Sequence, residues 1–119
     1  MLREIDIEVV GRAVVDSCIK VHTGLGPGLL EKVYERCMAH ELKKRGMDVE
    51  CQKELAINYD GLHIDGGYRL DLIVENRVII ELKSVDRLAP IHIAQLLTYL
   101  KLGHYKIGFS CELQCGAYA

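Results

Sequence analysis

The chain has 119 residues, of which half are apolar and 27% are charged, and its formal net charge is −2. This composition fits one globular domain with a single core and excludes a disordered or membrane-embedded chain, while the small acidic excess argues against tight non-specific binding to DNA. Because the N-terminal segment lacks a signal-peptide pattern and the five cysteines are scattered without a CxxC pair, we expect a cytoplasmic protein with free thiols and no membrane contact.

Two helices are predicted in the first part of the chain. Apolar residues at helical spacing predict a helix over 5–21, and the glycines and proline of 22–28 predict a loop. That loop lacks the Lys-Ser/Thr pair of a P-loop, so we expect a connection between helices rather than a phosphate-binding loop. A second apolar stripe predicts a helix over 29–45, with Gly46 as its C-terminal cap.

Strands dominate the middle of the sequence. The alternation over 49–59 predicts a strand, and Asp60-Gly61 is typical of a tight turn. The glycine-rich segment 61–67 predicts a loop or an irregular hairpin. The stretch 70–83 then predicts two short apolar strands, joined by a turn at residues 75–77.

The last predicted elements are a helix and a strand. Pro90 suits the first turn of a third helix, which Gly103 ends, and residues 106–111 predict a short final strand. The order is therefore α-α-β-β-β-α-β. It predicts a single α/β domain over residues 1–119, in which helices flank a central mixed β-sheet.

The alternation also predicts which apolar residues of the 70–83 hairpin share a face. Leu70, Leu72 and Val74 should lie on one face of the sheet, and Ile73 and Ile79 on the other. Both faces are then apolar apart from three charged residues, so helices should cover the sheet on both sides.

Three charged residues interrupt the apolar strands of this hairpin: Asp71, Glu81 and Lys83. A three-residue turn at 75–77 puts Asp71 opposite Glu81, with Lys83 one pleat further along. Like charges that face each other across strands are destabilising, and a cation between them removes that cost. Two carboxylates and a nearby ammonium are the groups that metal-assisted attack on a phosphodiester requires.

Together these residues resemble the PD-(D/E)XK nuclease superfamily, and within it the small bacterial and archaeal branch of GxxExxY proteins. The resemblance runs from about residue 5 to about residue 108. The matching elements stand in the family's order: Gly28-Leu-Leu-Glu31-Lys-Val-Tyr34 as the GxxExxY motif, Asp71 as the acidic position, Glu81-Leu82-Lys83 as the (D/E)XK element, and Gln95 as the glutamine of the next helix.

The resemblance implies a restriction-endonuclease-like core and a nuclease that hydrolyses phosphodiester bonds with Mg²⁺ or Mn²⁺, with DNA favoured over RNA as substrate. A homodimer is an open alternative, since many superfamily members pair to cut both strands. The implied site residues are Asp71, Glu81 and Glu31 as metal ligands, Asp71, Glu81, Lys83 and Gln95 as catalytic residues, and Gln95, Tyr99 and Tyr34 as substrate-binding residues.

Each of these roles has an alternative in which the residue is purely structural. Asp71 and Glu81 could be ordinary surface charges, Lys83 the partner of Glu81 in a salt bridge, Glu31 an acid favoured by the helix dipole, and Tyr34 a packing residue. For the whole protein, the alternative is a catalytically inactive, nucleic-acid-associated or protein-binding module that keeps the nuclease fold.

Two features depart from the family pattern. Arg69 and Leu70 precede Asp71, so the proline that often stands before the acidic residue is missing. The tail from about Phe109 is also atypical, because the resemblance predicts a further apolar strand and a basic tail there. A frameshift or a truncation in the source gene is the expected cause.

Overall fold

In the part of the chain that the structure describes, three helices and four strands follow one another in the predicted order α-α-β-β-β-α-β. The computed structural model describes residues 6–26, 30–83, 90–103, 105 and 107–112, with the backbone alone for 67 and 110–112. The elements are α1 (Ile7–Leu25), α2 (Glu31–Lys44), β1 (Val49–Tyr59), β2 (Leu62–Val74), β3 (Val78–Lys83), α3 (Pro90–Gly103) and β4 (Ile107–Glu112).

The first helix is longer than predicted. It begins after Asp6, whose carboxylate accepts a hydrogen bond from the Glu8 amide at 2.9 Å. It then continues to Leu25, so the predicted loop over 22–28 is wrong at its start. The physical reason is that Gly26 is the first residue of this segment with a positive φ, at 72°. Gly24 alone does not end a helix that packs along its length.

The second helix ends as predicted. Gly46 has φ 82°, and its amide donates to the carbonyl of Lys43 at 3.0 Å. The amide of Met47 reaches back to the carbonyl of Leu42 at 3.0 Å, which completes a glycine-capped helix end.

The first two strands form one long, irregular hairpin, which is the second of the two alternatives predicted for 61–67. Asp60 and Gly61 adopt left-handed conformations, with φ 48° and 80°, as a two-residue turn between strands requires. Pairing runs from this turn to the far end of both strands. A register shift between Leu55 and Ile57 and the φ of 67° at Gly66 show that the glycine signal marks a bulge within the hairpin rather than a loop.

The sheet is mixed and lies between helices, as predicted. Its order is β1-β2-β3-β4, with β3 antiparallel to β2 and parallel to β4. On one face α1 and α2 cover a core that includes Leu72, Val74 and Ile80. On the other face α3 covers a second core that includes Ile73 and Ile79. The α/β prediction is therefore confirmed.

The final strand includes the first residues of the segment predicted to be atypical. β4 runs parallel to β3 as far as Glu112, and Phe109 packs against the core under α1 and α2. The strand therefore belongs to the fold up to that point. The rest of the atypical tail, residues 113–119, lies outside the described residues.

Two expectations about composition can be compared with the structure. Cys18, Cys37 and Cys51 form no disulfide among the described residues, in line with the prediction of reduced thiols. Among the described residues, none of the helices has the length and hydrophobicity that crossing a membrane requires.

Candidate active site

The site is built where β2 and β3 part. Their regular pairing ends at Leu72 and Ile80, and Asp71 and Glu81 occupy the next position, as the three-residue turn predicts. There the Asp71 amide donates to Glu81 Oε1 at 3.3 Å, and the Leu82 amide donates to Asp71 Oδ2 at 2.9 Å. Each carboxylate thus bonds to the backbone of the opposite strand, which holds the two acids side by side.

The neighbouring strand is distorted at the same level. Cys51 of β1 pairs with Leu72 of β2, and Lys53 pairs with Leu70. Gln52 lies between these two pairs, opposite Asp71. Gln52 has φ 54°, a left-handed conformation that costs about 1–3 kcal/mol in a residue other than glycine and is found more often at functional sites. The backbone is therefore irregular on β1 as well, beside Asp71.

This irregularity changes the face on which a neighbouring residue packs. The prediction that Leu70 shares a face with Leu72 is wrong, because Leu70 packs with Ile73 under α3, whereas Leu72 packs under α1 and α2. Strict alternation fails at Asp71. As a result, the Asp71 side chain lies at the edge of a cavity beside α2 instead of sharing the α3 face with Ile73.

The electrostatics of the acid pair favour a cation. Glu81 is 5% exposed. Burial, and then the charge of Asp71, raise the pKa of Glu81 from 4.5 to about 7, while the positive charge of Lys83 opposes this effect. A buried carboxylate with a second carboxylate beside it is unfavourable when both are charged. Oxygen ligands of this kind fit a hard divalent ion.

Glu31, the predicted third ligand, begins α2 and faces the same site. It lines a cavity of about 330 Å³ together with Asp71 and Leu82, and its charge adds to the repulsion that raises the pKa of Glu81. Within the described ranges, however, no three His, Cys, Asp or Glu side chains converge into a complete metal site. Asp71 and Glu81 therefore form the observed pair. The role of Glu31 as a third ligand stays a prediction.

Four further residues line this cavity that the sequence did not single out: Lys32, Glu35, Gln52 and Arg69. Gln52 donates a side-chain hydrogen bond to Glu35, and Arg69 pairs with Glu54 at 3.2 Å. Glu35 lies four residues after Glu31 and so on the same helix face, which is a signal that the sequence offered. Gln52 and Arg69 reach the cavity only through strand pairing and the local distortion.

On the α3 side, Tyr99 lies close enough to the acid pair for the charges of both carboxylates to act on its hydroxyl. It is 8% exposed. Burial, followed by the charge of Glu81, raises the pKa of the Tyr99 hydroxyl. Its ring contacts that of Tyr68, with 5.4 Å between the centroids. Gln95 is half-buried and lines a second cavity with both tyrosines. The structure thus brings Gln95 and Tyr99 to the α3 side of the site.

Tyr34 has a packing role instead. It is fully buried, and its hydroxyl donates a hydrogen bond to the carbonyl of Gly26. This position leaves no ring surface for substrate, which favours the alternative that Tyr34 is a packing residue. Gly28, the first residue of the GxxExxY motif, lies outside the described residues.

A comparison with protein families supports the same interpretation. A family model described as the PD-(D/E)XK nuclease superfamily matches residues 8–114. The chain belongs to this superfamily. The matched span of this PD-(D/E)XK domain contains all the predicted site residues, and it supports a nuclease-like function with nucleic acid as the substrate class. No curated protein and no solved structure shows a significant match to the chain. Membership of the GxxExxY branch stays a prediction.

Proposed function

We propose that the protein is a metal-dependent nuclease that hydrolyses phosphodiester bonds in DNA. The observation that carries the proposal is the acid pair, in which Asp71 and Glu81 are held side by side at the point where β2 and β3 part. The superfamily match supports a nuclease reaction as the class of chemistry. The preference for DNA over RNA rests on analogy with the superfamily, which is a weaker support than site geometry.

Asp71 and Glu81 would hold the cation, Mg²⁺ or Mn²⁺, with Glu31 as a third oxygen donor across the cavity. Such an ion, when bound, supplies Lewis-acid chemistry that polarises a phosphate and favours deprotonation of water. The chain's own contribution is to position the oxygens. The backbone bonds from the amides of Asp71 and Leu82 fix the two carboxylates before any substrate arrives.

Lys83 would act on the scissile phosphate. It lies two residues after Glu81 on β3, and its charge already acts on that carboxylate. An ammonium here stabilises the negative charge that develops on the phosphate oxygens and orients the attacking water. Gln95, at the α3 side of the site, would contact the substrate or the attacking water through its amide.

The test is cleavage of single- and double-stranded DNA with Mg²⁺ or Mn²⁺, with and without EDTA. Glu81→Gln removes the charge of one ligand with little change in shape. Glu50→Gln on β1 is the matched control, because Glu50 is exposed and pairs with Lys53, which lines neither cavity of the site. We expect metal-dependent cutting that Glu81→Gln loses and Glu50→Gln keeps. Cutting that survives both EDTA and Glu81→Gln would contradict the proposal.

A second candidate is a catalytically inactive, nucleic-acid-associated module with the nuclease fold. The incomplete ligand cluster among the described residues and the net charge of −2 favour it. It predicts a folded protein that binds nucleic acid with the same affinity in EDTA and in Mg²⁺ and cuts nothing. The cytoplasmic location and the homodimer stay predictions, and gel filtration at several protein concentrations tests the second of them.

A further inference from the structure

A second cavity lies on the α3 side of the acid pair and has a different chemistry from the first. Its volume is about 270 Å³, and its lining residues are Tyr68, Ile91, Ala94, Gln95, Thr98 and Tyr99. None of these side chains carries a charge at neutral pH. The cavity beside α2 is lined by acids and bases instead. One site therefore has a charged cavity and an aromatic, neutral cavity on its two sides.

Tyr68 gives the neutral cavity an accessible aromatic surface. Its side chain is 40% exposed, and one part of the ring packs against Tyr99 at a tilt of 56°. Tyr99 holds the ring in place from behind, since it is itself buried in the core under α3. A fixed aromatic ring with an open surface is a platform on which a flat, uncharged ring can stack.

The position of Tyr68 relates this platform to the acid pair. It lies three residues before Asp71 on β2, or roughly 10 Å along a strand. Tyr99 links the two, because its ring contacts that of Tyr68 and it belongs to the same core as Leu70, the residue before Asp71. A phosphate that lies over the acid pair would therefore have its neighbouring base within reach of the ring of Tyr68.

The remaining lining residues suit a nucleobase. Ile91 and Ala94 supply an apolar wall, and the Thr98 hydroxyl already donates to the carbonyl of Ala94 at 2.9 Å. Gln95 supplies an amide that can both donate and accept a hydrogen bond. A flat ring with a polar edge matches this lining, whereas a phosphate or another ion finds no charged partner among the described residues that line the cavity.

We propose that this cavity binds an unpaired base of the DNA substrate, which stacks on Tyr68 next to the scissile phosphate. This inference rests on the proposed function and narrows its substrate to single-stranded DNA, including frayed ends and flaps. A base within a duplex cannot take this position, because its faces are stacked on its neighbours and its edge is paired.

The test measures stacking apart from cleavage. A single-stranded oligonucleotide that contains 2-aminopurine, whose fluorescence falls when it stacks on an aromatic ring, is titrated with the protein in Ca²⁺, and a gel confirms that the strand stays intact. We expect quenching with the wild-type protein. Tyr68→Ala should abolish it and raise the dissociation constant about 5- to 150-fold, the equivalent of the 1–3 kcal/mol per stacked base.

Three further variants separate stacking from folding. Tyr68→Phe keeps the ring and should bind within about twofold of wild type, whereas Tyr68→Leu keeps an apolar packing partner for Tyr99 and should bind like Tyr68→Ala. Tyr59→Ala is the matched control, because Tyr59 is a 71% exposed tyrosine at the tip of the β1–β2 hairpin. It should leave both affinity and quenching unchanged.

The outcomes for the two proposals are distinct. Unchanged affinity and quenching in Tyr68→Leu, or equal binding and cutting of duplex and single strands, would overturn the base site even if the protein is a metal-dependent nuclease. Quenching that depends on Tyr68, in a protein that cuts no DNA with Mg²⁺, would support the base site and identify the inactive module as the function.

Discussion

Replacing Glu81 by glutamine should make the metal-free protein more stable at alkaline pH. The folded protein raises the pKa of Glu81 from 4.5 to about 7, so between these values it binds more protons than the unfolded chain. Stability must therefore fall as the pH rises through this window. At 1.36 kcal/mol per pH unit, the full loss is about 3 kcal/mol, and Glu81→Gln, which carries no charge, should avoid it.

The assay is urea unfolding in EDTA across the range from about pH 4 to pH 9. At the acid end, wild type and Glu81→Gln should have similar free energies of unfolding, because both side chains are neutral. Above pH 7, Glu81→Gln should exceed wild type by up to about 3 kcal/mol, which corresponds to roughly 10 °C in Tm for a chain of this length. Glu50→Gln, at the surface, should show no such divergence.

Mg²⁺ provides the complementary measurement. An ion that binds only the folded protein raises its stability by mass action, so Mg²⁺ should return wild type towards the stability of Glu81→Gln and should stabilise that variant less. If Glu81→Gln is instead less stable than wild type by the same amount at every pH, the acid pair is not repulsive in the folded protein. The electrostatic argument for a cation at this site would then be refuted.

Four other substitutions test separate parts of the fold and the site. Lys83→Ala should lower kcat for cleavage by about 10²–10³-fold while circular dichroism and Mg²⁺ binding stay as in wild type; unfolding of this variant would mean that Lys83 is structural. Tyr34→Phe should lower the free energy of unfolding in urea by about 1 kcal/mol, because the carbonyl of Gly26 loses this donor. The same variant should leave KM for DNA unchanged. A raised KM would support the predicted contact of Tyr34 with substrate. Gly61→Ala should destabilise the protein by about 1 kcal/mol, because φ is 80° there. Gly24→Ala, in a helix with open space around that position, should stabilise it by up to about 1 kcal/mol. Shifts of the same sign in the Tm of both variants would contradict the backbone argument.

The strongest local signals predicted their elements well. β1 and α3 have the predicted bounds, because a run of alternating residues ends at Asp60-Gly61 and because Pro90 and Gly103 delimit an apolar helix. The glycines of 61–67 left the prediction open between a loop and an irregular hairpin, and the structure shows the hairpin. Whether a glycine marks a loop or a bulge depends on the strand that pairs with it, and that pairing is not visible in the segment itself.

The acid pair was predictable and most of its surroundings were not. A three-residue turn fixes the register of a hairpin, so the sequence of 71–81 alone placed Asp71 opposite Glu81. The cavity residue Gln52 could not be found in this way, because it reaches the site through a left-handed backbone that no pattern of residue types specifies. The burial of Tyr34 likewise follows from the packing of α2 on the sheet, whereas its motif suggested a role in the site.

The irregular pairing at Asp71 connects the fold to the proposed chemistry. Where the strands part, the amide of Leu82 has the Asp71 carboxylate as its acceptor, so this acid both completes the sheet and presents oxygens to the cavity. Asp71→Ala would leave that amide without this partner, at a cost of about 1–3 kcal/mol, and a loss of activity could then reflect folding. Glu81 accepts only a longer bond, 3.3 Å from the Asp71 amide, and its charge opposes folding. Of the two proposed ligands, Glu81 is therefore the one whose substitution separates catalysis from stability.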